Sequence, residues 1–142
     1  MNLRSGCPLN VALEIVGDKW SLLIIRDLIN GKFTFTDFLN SNEDIAKNIL
    51  AERLKRLMNF KIIDFKNPKG NNKVKNYFLT KKGLDLYPAM VELILWSDTY
   101  LSELITSDKG RNFLDEIKNK GKDIVIETKI SNYKSKLKKV VF

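Results

Sequence analysis

Lys47, Asn48, Ala51, Glu52 and Lys55 follow one another at intervals of one, three, one and three residues. On an α-helix those intervals put all five on or beside one face. Their types suit the edges of base pairs. Asparagine can bond adenine twice, lysine donates to guanine, and glutamate accepts from cytosine. Arg53 and Arg56 share the stretch and suit either phosphate contact or support of the helix. The opposite face is apolar, with Ile49, Leu50, Leu54, Leu57 and Met58 at helical spacing. A helix from Ile45 to Asn59 is therefore expected, with Asp44 as its capping group because Ala46 offers no side-chain acceptor.

A second set of cations follows at once. Lys66, Lys69, Lys73 and Lys75 surround Asn67-Pro68-Lys69-Gly70-Asn71-Asn72-Lys73, a run of turn-forming residues. It lies between Ile62, Ile63 and Phe65 on one side and Tyr77 and Leu79 on the other, which predicts a β-hairpin. Gly70, Asn71 and Asn72 let the tip approach another backbone closely.

Cys7 is the only cysteine, and the chain has no histidine. Cys7 precedes Pro8, a favoured first residue of a helix, so the thiol faces the positive end of a helix dipole. Three readings stay open: an inert small hydrophobe, a low-pKa thiolate, or half of an intersubunit disulfide. The same composition excludes an internal disulfide, a Cys/His zinc site and any mechanism with histidine as proton shuttle. No nucleophile–base pair and no phosphate-cradling glycine loop is present, so neither an enzyme nor a cofactor is expected.

Helices predicted by the remaining pattern must hold these groups in place. Pro8–Val16 forms the first. Asp18 caps a second over Lys19–Ile29, apolar nearly all round and so central to the core. Phe33-Thr34-Phe35 alternates like a very short strand. Thr36 can cap a single turn through Leu39. Thr80 can cap a long helix from Lys81 to Ile105, which Pro88 kinks or restarts. Leu86, Met90, Leu93, Ile94, Ser97 and Leu101 lie along it. Together with Trp96, Tyr100 and Leu104 they give more apolar surface than so small a domain can bury, which implies a partner surface. Further helices follow from Ser107 to about Lys120 and, after Gly121, through Ile126, Ile130, Tyr133 and Leu137.

The chain has 142 residues, 44% of them hydrophobic, enough for one packed domain. Its net charge of +8 is unevenly spread. Residues 1–42 are neutral, 43–83 carry +7, 84–106 carry −4, and 107–142 carry +5. A basic block beside a neutral one points to an oriented anionic partner. No apolar run approaches the roughly 18 to 20 residues of a membrane span. With no signal-peptide pattern at the N-terminus, a cytoplasmic location is expected.

Cys7-Pro8, Gly17-Asp18-Lys19-Trp20, the run Leu22 to Leu28, Gly31, Phe35, Ile45, Leu50, Leu54, Leu57, the Tyr77-x-Leu79-Thr80-x-x-Gly83 string, Pro88 and Trp96 keep one order and spacing. This set, over roughly residues 7–100, resembles the HxlR family of winged helix-turn-helix bacterial transcription regulators, which are MarR-like. The resemblance implies a homodimer joined through the long helix and the N-terminal segment, usually acting as a repressor. It also implies double-stranded DNA as partner and an oxidant or electrophile as the signal read by the cysteine. Ala46, Ala51 and Asn76 depart from the family's usual residues.

The expected fold is mainly α with a small β-hairpin: a winged helix-turn-helix domain over 1–106 and a basic helical extension over 107–142. The expected function is regulation of transcription at an inverted-repeat operator. The competing reading is a winged-helix module for protein interaction or for non-specific nucleic-acid binding.

Overall fold

The computed structural model describes all 142 residues. Its elements are α1 (Pro8–Val16), α2 (Ser21–Ile29), α3 (Phe35–Leu39), α4 (Lys47–Asn59), β1 (Ile63–Lys66), β2 (Asn76–Leu79), α5 (Lys81–Leu84), α6 (Tyr87–Leu101), α7 (Asp108–Lys120) and α8 (Lys122–Val140). A 3₁₀ turn, Ser102–Leu104, closes α6. One buried cluster joins Ile24, Ile25 and Leu28 of α2, Leu50, Leu54 and Leu57 of α4, Ile63 and Leu79 of the hairpin, and Val91 of α6. Ile117, Val125, Tyr133 and Val141 from the C-terminal extension enter the same cluster. The mainly helical fold with a two-stranded hairpin is the one expected.

The departures from expectation are local and have physical causes. Asp18 does cap α2: its carboxylate accepts from the N–H groups of Trp20 and Ser21, both at 3.0 Å, although regular helix begins only at Ser21. Phe33-Thr34-Phe35 is not a strand. The Asp37 carboxylate takes the N–H groups of Phe33 and Thr34, each at 3.1 Å, and so withdraws the donors a strand would need. The cap of α3 is accordingly Thr34, whose hydroxyl accepts from Asp37 N–H, and not Thr36. Asp44 does not cap α4. It sits at φ 54° in the turn before that helix, and Ala46 occupies the cap with no side-chain bond. The expected long helix is divided into α5 and α6, with Pro88 restarting it in the first turn of α6, where a missing N–H costs nothing.

β1 and β2 pair antiparallel in the register Ile63↔Leu79, Asp64↔Phe78, Phe65↔Tyr77 and Lys66↔Asn76. The far edge of β2 still has donors to satisfy. Tyr77 N–H donates to the Phe33 carbonyl at 2.8 Å, and Leu79 N–H donates to the Tyr133 hydroxyl at 2.7 Å. Tyr133 comes from α8 and is 2% exposed. A side chain 54 residues away thus finishes the edge of the sheet.

Burial pushes the Tyr133 hydroxyl up to about 12, and Tyr87 likewise. Above the ordinary tyrosine value of about 10 the unfolded chain loses this proton while the folded chain keeps it. The unfolded state then binds fewer protons, so stability falls as pH rises from about 10 to about 12. Tyr133→Phe removes the acceptor and strands a buried N–H. A loss of about 1–3 kcal/mol in urea unfolding at neutral pH is expected, with a weaker alkaline decline than the parent.

Candidate nucleic-acid interface

α4 divides as its spacing requires. Leu50, Leu54 and Leu57 are buried, and Ile49 and Met58 pack partly against them. Lys47, Asn48, Ala51, Glu52 and Lys55 are all exposed. The structure therefore brings the five proposed readers together on a single open face. Neither Lys47 nor Lys55 enters an ion pair within the chain. Because Ala46 supplies no side-chain cap, the first-turn N–H groups of α4 add positive potential at the same end.

Arg53 and Arg56 belong to the scaffold. Arg53 Nε donates to Asp18 Oδ2 at 2.8 Å, and its Nη1 pairs with the neighbouring Glu52 carboxylate. Arg56 Nη2 donates to the Glu14 carbonyl, while its guanidinium lies 5.6 Å from the centre of the Phe60 ring. One arginine ties α4 to the start of α2 and the other ties it to α1. Asp18 accepts from Ser21 as well as Arg53, and these bonds outweigh its partial burial to hold the carboxyl below its ordinary range.

A second carboxylate works at the other end of α2. Asp27 is 5% exposed, accepts from Arg26 Nη2 at 2.9 Å, and also accepts from the Ser41 hydroxyl. Arg26 spans further to Glu43, with contacts of 2.9 and 2.7 Å. The bonds to Glu43 and Asp27 raise Arg26 further above its already high value, and Arg26 in turn lowers Glu43. Ser41 and Glu43 lie in the turn that delivers α4. This network went unrecognised from the sequence. Its only local sign is the Arg26-Asp27 pair inside an otherwise apolar helix.

The hairpin loop is organised by asparagines. Asn67 Nδ2 donates to the carbonyls of Asn72 and Val74, at 3.2 and 2.7 Å. Asn71 Oδ1 accepts from Lys73 N–H at 3.0 Å, so this side chain holds the tip in shape. Gly70 takes φ +82°, which a side chain would resist. Lys69 and Lys73 extend from the tip, exposed and free of ion pairs. Lys75 lies over Phe65, 4.5 Å from its ring centre, and Lys66 lies over Phe142 at 4.6 Å.

Cys7 is exposed at the N-cap of α1. No hydrogen bond to the cap side chain is formed, yet the N–H groups of Asn10 and then Leu9 face the sulfur and lower its pKa. Of the residues expected at a partner surface, Leu93 is exposed, Leu86, Ile94, Ser97 and Leu101 are half-buried, and Met90 is buried in the chain's own core. The open apolar row runs through Leu93, Trp96 and Tyr100 of α6 to Leu104 in the 3₁₀ turn, each more than half exposed and each part of the expected apolar surplus. Their intervals of three, four and four residues put them on one face. Leu9 and Leu13 of α1 are exposed too.

A helical scaffold presenting one polar helix face, followed directly by a lysine-tipped hairpin, defines a winged helix-turn-helix protein. Residues 15–105 match the family model described as HxlR-like helix-turn-helix. The chain belongs to that family, which is defined by a DNA-binding module and not by a catalytic one. An uncharacterized HTH-type transcriptional regulator of Mycobacterium tuberculosis is 37% identical over 90 residues, 63% of this chain but 56% of the relative's length. The chain thus spans a little over half of that relative. The HTH-type transcriptional regulator YodB of Bacillus subtilis is 33% identical over 96 residues, 66% of this chain and 85% of YodB. The structure of reduced YodB superposes with a TM-score of 0.57 at 30% identity, covering 73% of this chain and 100% of that one. YodB has also been solved diamide-treated and quinone-bound. The redox regulator HypR in its oxidized form gives a TM-score of 0.59 at 26% identity, covering 66% and 96%.

Arg53→Ala breaks the tie between α4 and the cap of α2. A stability loss of about 1 kcal/mol is expected, since the pair is only partly buried. Lys55→Ala, from the open face, should shift the urea midpoint negligibly.

Proposed function

We propose that this protein is a sequence-specific DNA-binding regulator of transcription that acts as a homodimer on an inverted repeat. The observation that carries the reading is the open face of α4. Lys47, Asn48, Glu52 and Lys55 are exposed there, while the arginines of the same helix are bound into the scaffold. That division leaves base-reading types outward and places rigid anchors behind them. Lys69 and Lys73 reach flanking phosphates from the hairpin.

The second copy docks through the row Leu93, Trp96, Tyr100 and Leu104, with the exposed leucines of α1 assisting. A dyad through α6 sets the two α4 helices about 34–36 Å apart, one turn of duplex. Occupation of a promoter then blocks transcription. An interaction module without sequence preference would bind random duplex equally well, and the outward asparagine and glutamate argue against that.

A redox response through Cys7 is a second part of the reading. It is supported by the exposed, pKa-lowered thiol and by the described forms of YodB and HypR. Oxidants or quinone-like electrophiles are the ligand class.

Selection of bound duplex from a random library tests the central reading. An inverted repeat is expected, with at least about 10³ preference over random duplex. Asn48→Ala and Lys55→Gln should relax one base position each by about 1–3 kcal/mol. Equal binding to all duplexes overturns the reading. In sedimentation the parent should be dimeric and Trp96→Glu/Tyr100→Glu monomeric. Cys7 should alkylate with a pH midpoint below the ordinary thiol value of about 8.5. Diamide should weaken operator binding by the parent and leave Cys7→Ser unaffected; equal responses overturn the sensor.

A further inference from the structure

We propose that the last turns of α8 make a third contact with the duplex, on phosphates flanking those reached by the hairpin. The inference rests on the DNA-binding reading above and deepens it, and it gives the C-terminal extension a function.

The charge along the extension is sorted. From Thr128 to Phe142 there are five lysines and no acidic residue. The cations that attach the extension to the body are different ones. Arg111 Nη1 pairs with Asp98 at 3.2 Å, and Lys122 Nζ pairs with Glu92 at 2.6 Å, both acids belonging to α6. Lys136 is occupied as well, with its ammonium 5.8 Å from the centre of the Phe33 ring. Lys134, Lys138 and Lys139 remain exposed and enter no ion pair. Lysines in a last turn favour the negative end of a helix dipole, but Lys134 lies before that turn.

The position of this free charge is set by the hairpin. Residues on one strand alternate between faces. Ile63, Tyr77 and Leu79 turn into the core, so Asp64, Lys66, Asn76 and Phe78 share the outward face, with Lys66 at the end nearer the loop. Phe142 is seated on that face. Its ring meets Phe78 edge-on at 5.1 Å and lies beneath the Lys66 ammonium. Lys138 and Lys139, in the last turn of α8, precede Phe142 by four and three residues. The exposed lysines at the end of α8 thus lie a few residues from a side chain seated on the hairpin beside Lys66.

The chemistry of the surface also suits phosphate. Ser131, Lys134, Ser135 and Lys138 line one open depression on α8 together with Glu127 and Ile130. Hydroxyl donors beside flexible ammonium groups bind the backbone without reading sequence.

The test uses the full chain and the duplex that the parent selects from a random library, kept with long flanks. Lys134→Gln/Lys138→Gln/Lys139→Gln is compared with Lys109→Gln/Lys118→Gln/Lys120→Gln on α7, which removes as much charge elsewhere. The expected result is a salt dependence of log K shallower by about 0.9 per lost phosphate contact, up to about 2.7 in all. Hydroxyl-radical protection should retreat at the outer flank with the half-site unchanged. The α7 variant should match the parent, and Lys134→Arg/Lys138→Arg/Lys139→Arg should restore the slope. An α8 variant with the parent's slope and footprint, or an equal loss in the α7 variant, overturns the inference. If the parent selects no sequence, the base-reading proposal falls and this inference falls with it. Intact selection with an unchanged slope removes this inference alone.

Discussion

The placement of α4 depends on two carboxylates at opposite ends of α2. A buried, unpaired carboxylate costs several kcal/mol, so Asp27 dictates what surrounds it. It accepts from Arg26 and Ser41, and Arg26 extends the network to Glu43. The turn carrying Ser41 and Glu43 is thereby fixed on α2, and Ala46 follows it into α4. At the other end Asp18 caps α2 and accepts Arg53 from the middle of α4. α4 is held at its entry and along its length, with Lys47, Asn48 and Lys55 of its outer face taking no part in the clamps. Its apolar stripe supplies the burial; the carboxylates supply the angle.

Much of this architecture was legible in the sequence because it follows from period. The residues of α1, the extent of α7 and the existence of α8 come from apolar spacing plus Pro8, Gly17 and Gly121. The presence of the hairpin follows from turn residues between two apolar runs. Capping was read less well. Thr34 and Thr36 are equally plausible acceptors on paper, and only the reach of Asp37 back to two N–H groups separates them. Met90 was expected on a partner surface because α6 is apolar on several sides. Which side the body covers depends on where α8 lies, and that is a tertiary fact. For Arg53 and Arg56 the sequence left phosphate contact and helix support both open for the same reason. Their partners, Asp18 and Glu14, are 35 and 42 residues distant in the chain.

The uneven charge of the chain has a structural counterpart. The acidic stretch that includes α6 faces the extension, and two of its acids pair with Arg111 and Lys122. Such partly exposed pairs contribute little energy singly. Their effect is orientation: they hold the front of the extension on α6 and leave the lysine-rich end of α8 to lie by the hairpin. Arg53, Arg111 and Lys122 thus use their charge to join elements of the body, whereas the hairpin tip and the outer face of α4 keep their lysines free. That separation distinguishes an electrostatic surface from a merely lysine-rich composition.

The extension also changes the mechanical state of the hairpin. An isolated two-stranded hairpin is marginal in water. Here Phe33 and Tyr133 satisfy the edge of β2, while Phe142 packs on its outward face against Phe78. The strands are held from edge and face, and Asn67 and Asn71 brace the loop beyond them. Binding through a mobile loop must bear the entropy of ordering it, and a hairpin already ordered avoids much of that cost. α8 therefore acts on any partner of the hairpin in two ways. It orders the strands before contact, and it sets their base in a fixed relation to α2, the helix that also aims α4. Displacing α8 would loosen the hairpin while leaving the clamps on α4 intact, so the two halves of the interface respond to different parts of the chain.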